Sequence, residues 1–166
     1  ENVLTKPQIT AWRTGRVKAV GSKTAPELYA AHLSQREAAQ ILSNFFYDVR
    51  LKSRIELRAA DSMPPRYIAA YAQLVKSVFG SPAALQNVLR HYAGITTLDI
   101  TTAKLAVCKD GFNALAYGKP ISSELTWLLM QARSRTPSQE ERALLDPFMA
   151  LVMKRKTIRE TENYNE

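Results

Sequence analysis

The groups from which catalytic sites are most often assembled are sparse in this chain. His32, His91 and Cys108 are its only histidines and its only cysteine. The two histidines fall on different expected helices, and neither belongs to an HExxH pattern or a Cys/His cluster. One cysteine cannot close an internal disulfide or supply a zinc site that needs two or four thiolates. No GxxxxGK[ST] loop, GxGxxG turn or GxSxG elbow is present. Glu27, Glu37 and Glu56 each stand three residues after a Ser or Thr, where a carboxylate caps a helix. The expectation is a protein that is not an enzyme and that carries neither metal nor cofactor.

The cations offer a different chemistry, the neutralisation of phosphate. Lys and Arg number 23 against 15 acids, a net charge of +8 with a pI near 9.7, which favours a polyanionic partner. Residues 1–23 hold five of these cations against one acid, with Arg13, Arg16 and Lys18 spread around Trp12. A basic arm with an aromatic can track phosphates or enter a minor groove, and it can equally be a strand that pairs with a neighbouring chain. A second group follows at Arg50, Lys52, Arg54, Arg58, Arg66 and Lys76, with Gln73 among them. In a groove-reading arrangement Arg66 would contact guanine and Gln73 adenine, while Arg50, Lys52, Arg54, Arg58 and Lys76 would position the unit on phosphates.

These residues need elements to carry them, and the patterning is that of a mostly helical, all-α chain. The 166 residues suit a single domain with tails, and only six are glycine. The expected organisation is an extended basic arm over 1–23, a single helical domain over 24–157 and a flexible tail over 158–166. Seven or eight helices are expected, with a possible short strand near Arg16 to Val20. Thr24 and Ser34 open capping boxes, and Ala38, Ile41, Leu42, Phe45, Phe46 and Val49 follow the second as one apolar stripe of a helix. Ser53 opens a third box and with it a short helix, which Asp61-Ser-Met-Pro64 interrupts. The next helix runs to Gly80, with Ile68, Tyr71, Leu74, Val75 and Val78 inward and Arg66, Ala70, Gln73 and Ser77 outward. Residues 53–80 thereby read as a helix-turn-helix-like unit. Further on, helices are expected over 103–117 and from Thr136 through Val152. No apolar run approaches the roughly 20 residues of a membrane span, and ENVLTKPQIT lacks the charged start and apolar run of a secretory leader. A cytoplasmic location is the expectation.

The helix pair, and above all RYIAAYAQLVKSVFGSP from Arg66 to Pro82, resembles the FlhC family, the C subunit of the bacterial flagellar master activator and its relatives. The likeness covers about 35 of the 166 residues. It implies a transcription activator that binds DNA beside a small helical partner. The family's C-terminal cysteine-rich zinc site has no counterpart, because Cys108 stands alone. The first expectation for function is therefore a DNA-binding transcription regulator, acting as a homo- or hetero-oligomer. A coat-type protein that polymerises on nucleic acid through its arm, and a helical adaptor subunit of a larger assembly, are the contrasting expectations.

Overall fold

The structure, a computed structural model, describes residues 10–13, 16–19, 21–29, 34–43, 48–51 and 54–162. The fold is mostly helical with a few short strands. The chain divides into two compact units, 1–61 and 62–166. Residues 1–23, expected as a separate arm, fall within the first of these units.

In the first unit, β1 (Thr10–Arg13) and β2 (Arg16–Ala19) form an antiparallel ribbon, so the expected strand near Arg16 is present and has a partner. The capping boxes read from sequence at Thr24 and Ser34 both form. The Thr24 amide donates to Glu27 Oε2 at 2.6 Å and opens α1 (Ala25–Leu28). The Ser34 amide donates to Glu37 Oε2 at 2.8 Å and opens α2 (Gln35–Ser43), which buries Ile41 and packs against β1. Phe45, Phe46, His32 and Lys52 lie outside the described residues.

The third box does not open a helix. Val49–Leu51 is β3 and Ile55–Leu57 is β4, paired antiparallel with Val49 opposite Leu57, Arg50 opposite Glu56 and Leu51 opposite Ile55. Apolar and charged residues alternate along both segments, and a period of two is the pattern of a strand. Matching apolar and opposite-charge pairs across the ribbon then outweigh one Ser-x-x-Glu signal. The first half of the expected helix-turn-helix is thus half of a β-hairpin, and it belongs to a different unit from the second half.

The second unit is a helical assembly. α3 (Pro65–Phe79) packs against α4 (Pro82–His91), α6 (Ile121–Ser134) and α8 (Asp146–Lys154); between them lie α5 (Thr97–Asp110) and α7 (Gln139–Ala143). The core is Val78, Ala132 and Leu145, with Leu74, Val88 and Leu128 packed on it. Pro65 fills the first turn of α3, where its missing amide proton costs nothing, and Gly80 closes the helix with its amide on the Lys76 carbonyl at 2.9 Å. Ser81 then caps α4 through the Ala84 amide at 3.2 Å, so two helices meet with almost no linker.

Two expected helices are shorter than their patterns. α5 stops at Asp110 because Gly111 adopts φ +55°, and a 3-10 turn over Gly111–Asn113 leads to a small hairpin, β5 (Leu115–Ala116) and β6 (Lys119–Pro120). Its two-residue loop places Tyr117 and Gly118 both at positive φ, 57° and 77°, the geometry that matches ribbon twist. The expected helix beginning at Thr136 instead begins at Ser138, whose hydroxyl accepts from the Glu141 amide at 3.3 Å, and it breaks at Leu144–Leu145 before α8. Where the flexible tail is expected to begin, a further capping box, Thr157 with Glu160, starts α9 (Ile158–Thr161).

Candidate nucleic-acid interface

In the β1–β2 ribbon the register sets Arg13 opposite Arg16, Lys18 opposite Ala11 and Trp12 opposite Val17. Because strand positions alternate between faces, Arg13, Arg16 and Lys18 share one face of the ribbon while Trp12 and Val17 occupy the other. Like charges directly opposite each other destabilise a ribbon. The β3–β4 ribbon is more balanced: Arg50 lies opposite Glu56, and Arg58 Nε lies 3.6 Å from Glu56 Oε1. Arg54, at the bend that precedes β4, is exposed.

On α3 the expected reading face is distributed differently. Arg66 is exposed but committed, its guanidinium pairing with the Glu162 carboxylate and standing 5.0 Å from the centroid of the Tyr67 ring. Lys76 donates to Glu141 Oε1 at 2.7 Å. Exposed pairs of this kind contribute about 0–1 kcal/mol, so a phosphate can exchange for either carboxylate.

Gln73 cannot serve as a base reader, because it is buried, at 6 % exposure. Its amide donates to Ser77 Oγ at 2.9 Å and to Thr136 Oγ1 at 3.2 Å; Ser77 and Thr136 are 2.9 Å apart, and Thr136 donates to the Ala132 carbonyl at 2.8 Å. Ala70, read as outward, is wholly buried, whereas Ile68, read as inward, is 55 % exposed. The helix is rotated because a small Ala and a closed polar network let α6 approach α3 as closely as a branched apolar stripe would. A network whose donors are all satisfied costs little to bury.

One cluster had no local signal in the sequence. His91 of α4 and Glu124 of α6 are 33 residues apart, yet their Nε2 and Oε2 atoms are 2.9 Å apart, and Lys119 Nζ lies 3.3 Å from the other Glu124 oxygen. The His91 ring stacks on Trp127 at 3.5 Å and 10°, with Tyr92 edge-on to both. Burial pushes the Glu124 carboxyl up, but hydrogen bonds and positive charge from His91 and Lys119 outweigh it, and its pKa falls below the ordinary 4.5. Burial and then the Glu124 charge push the Tyr92 phenol up, so it stays neutral. Glu124 is the node that ties α4, β6 and α6 together, a positioning role within the helical unit. Among the described residues no three His, Cys, Asp or Glu side chains converge as a metal site would require, and no helix is long and apolar enough to cross a membrane. Cys108 is exposed on α5. At the C-terminal end of α8, Lys154, Lys156 and Arg159 are exposed, while Arg155 turns back to donate to the Phe112 carbonyl at 2.7 Å.

No protein-family model matches this chain, and no curated protein does either.

Proposed function

We propose that this chain is a non-enzymatic nucleic-acid-binding protein of the cytoplasm that engages phosphates through the basic face of its N-terminal ribbon. The single observation that carries this is the register Arg13 opposite Arg16 with Lys18 on the same face. Three cations at neighbouring register positions of one short ribbon gather positive charge in one place, which suits a polyanionic backbone. Trp12 on the other face supplies an apolar anchor or a surface for a neighbouring chain. Phosphate contact without base readout fits the loss of Gln73 to the interior, so binding with little sequence preference is favoured over the helix-turn-helix mode. DNA is the first substrate to test, with RNA beside it.

Oligomerisation accompanies the proposal. On α5 only Ala103 is buried, while Leu98 and Leu105 are 75 % and 67 % exposed. Exposed leucines on one helix support contacts between copies, as a coat-type protein would make.

The deciding experiment is fluorescence anisotropy with duplex DNA and single-stranded RNA across a series of NaCl concentrations. For the triple variant Arg13→Ala, Arg16→Ala, Lys18→Ala, affinity should fall and the log–log salt slope should shrink by about 2–3, close to one unit per lost phosphate contact. An unchanged slope in that variant would remove the ribbon from the interface. Equal competition by random and genomic DNA is expected; strong preference for one sequence would restore the regulator reading.

A further inference from the structure

The helical unit contains an apolar cavity of about 350 Å³ whose walls come from α3, α6 and α8. Leu74, Leu125, Leu128, Phe148 and Val152 form most of it, and Ile158 of α9 closes one side. Its polar groups are few: the Tyr71 side chain, the Thr157 side chain and Lys156. Lys156 is exposed as well as lining the cavity, which puts it at the rim.

The charges near that rim are arranged so that Lys156 keeps its capacity for an anion. Glu160 feels the Lys156 charge, but its Oε2 already accepts from the Thr157 amide at 2.6 Å and from the Thr157 hydroxyl at 2.8 Å. Lys156 forms no salt bridge within 4.0 Å among the described residues. Arg155 is held by the Phe112 carbonyl and by Asn113 Oδ1 at 3.0 Å. The closing element is itself tethered from outside the cavity: Glu162, just after α9, accepts from Arg66 and from the Tyr67 hydroxyl at 3.3 Å on α3.

The pocket opens to solvent on one side, so an apolar group that enters it leaves water and gains contacts with the leucine, phenylalanine and valine walls. The volume lies at the small end of ligand pockets, roughly 300–1,000 Å³, and fits a short alkyl chain better than a large ring system. We propose that this cavity binds a small amphipathic carboxylate, with its alkyl body among Leu125, Leu128 and Val152 and its head on Lys156. α9 acts as a strap over the entrance, held shut by the Arg66–Glu162 pair.

The test is isothermal titration calorimetry of the full chain with decanoate, 1-decanol and decyltrimethylammonium, each kept below its micelle concentration. Decanoate is expected to bind at one saturable site, with decanol weaker and the cationic amphiphile not bound. Lys156→Met should cut decanoate affinity by about tenfold or more, the usual scale of losing one charge-assisted contact. Val152→Trp should fill the cavity and abolish binding, and far-UV circular dichroism would report whether that variant folds. Glu162→Ala should raise the association and dissociation rates of decanoate together, read by stopped flow. No saturable decanoate binding would overturn the proposal. So would equal binding of decanoate and decyltrimethylammonium, or Lys156→Met matching the unmodified chain.

Discussion

At the scale of single residues, Gln73 and Glu124 carry opposite lessons about polar side chains. Gln73 looks like a surface residue in any linear reading, flanked as it is by Ala72 and Leu74 on a helix bearing Arg66 and Lys76. It is interior because Ser77, one turn on, and Thr136, on another helix, absorb both amide protons. Thr136→Val, nearly isosteric, should therefore strand the Gln73 donor and lower unfolding free energy by about 1–3 kcal/mol, while nucleic-acid affinity stays unchanged. Urea denaturation beside anisotropy separates the two effects. Glu124 makes stability depend on pH. Its folded pKa lies below 4.5, so folding favours the carboxylate. That contribution is complete above the unfolded value of about 4.3 and is lost as pH falls through the folded one. Urea unfolding from about pH 6 to about pH 3 should show an acid limb that flattens in Glu124→Gln.

At the scale of elements, short ribbons decide where charge goes. The β1–β2 register puts Arg13 against Arg16. Arg16→Glu converts that repulsive pair into an attractive one, which should stabilise the ribbon by about 0.2–1 kcal/mol while weakening nucleic-acid binding. Hydrogen exchange of the strand amides reads the first effect and anisotropy the second; a variant that loses both would show the ribbon was never held this way. The β5–β6 hairpin depends on its loop instead. A Cβ at Gly118 meets no atom within 4 Å, so Gly118→Ala isolates the cost of its φ of +77°. A loss of about 1–2 kcal/mol is expected in thermal unfolding. Tyr117 accepts a similar φ because its ring reaches Tyr92 at 5.7 Å, a compensation that begins outside the hairpin.

At the scale of the whole molecule, the division at Asp61 and Ser62 organises both charge and stability. Residues 1–61 hold ten cations against six acids and residues 62–166 thirteen against nine, so each unit carries a net +4. Basicity alone does not single out a binding unit: in the helical unit Arg66, Lys76, Lys119 and Arg133 have carboxylate partners, while Lys154, Lys156 and Arg159 are exposed. Residues 58–64 form neither helix nor strand, and limited proteolysis should cut there first. The fragment 62–166 retains the core of Val78, Ala132 and Leu145 and should unfold cooperatively by itself. Leu145, fully buried, is the residue whose truncation to Ala should cost that fragment most, about 2–5 kcal/mol.

Much of the local architecture was legible along the chain because its signals act over three or four residues. The capping boxes at Thr24 and Ser34, the proline start and glycine stop of α3 and the cap at Ser81 all formed where the pattern placed them. The mostly helical class followed from the same signals. Where a local signal failed, a longer-range interaction outweighed it. Ser53-x-x-Glu56 yielded to a cross-strand register that pairs Arg50 with Glu56, and the outer face of α3 turned inward to meet Thr136 across 63 residues of sequence. As letters, the buried glutamine and the Glu124 node differ little from polar residues left on the surface. Their roles were assigned by which partner the fold brought within about 3 Å, because the free energy of a polar group is set by what satisfies it once water is gone.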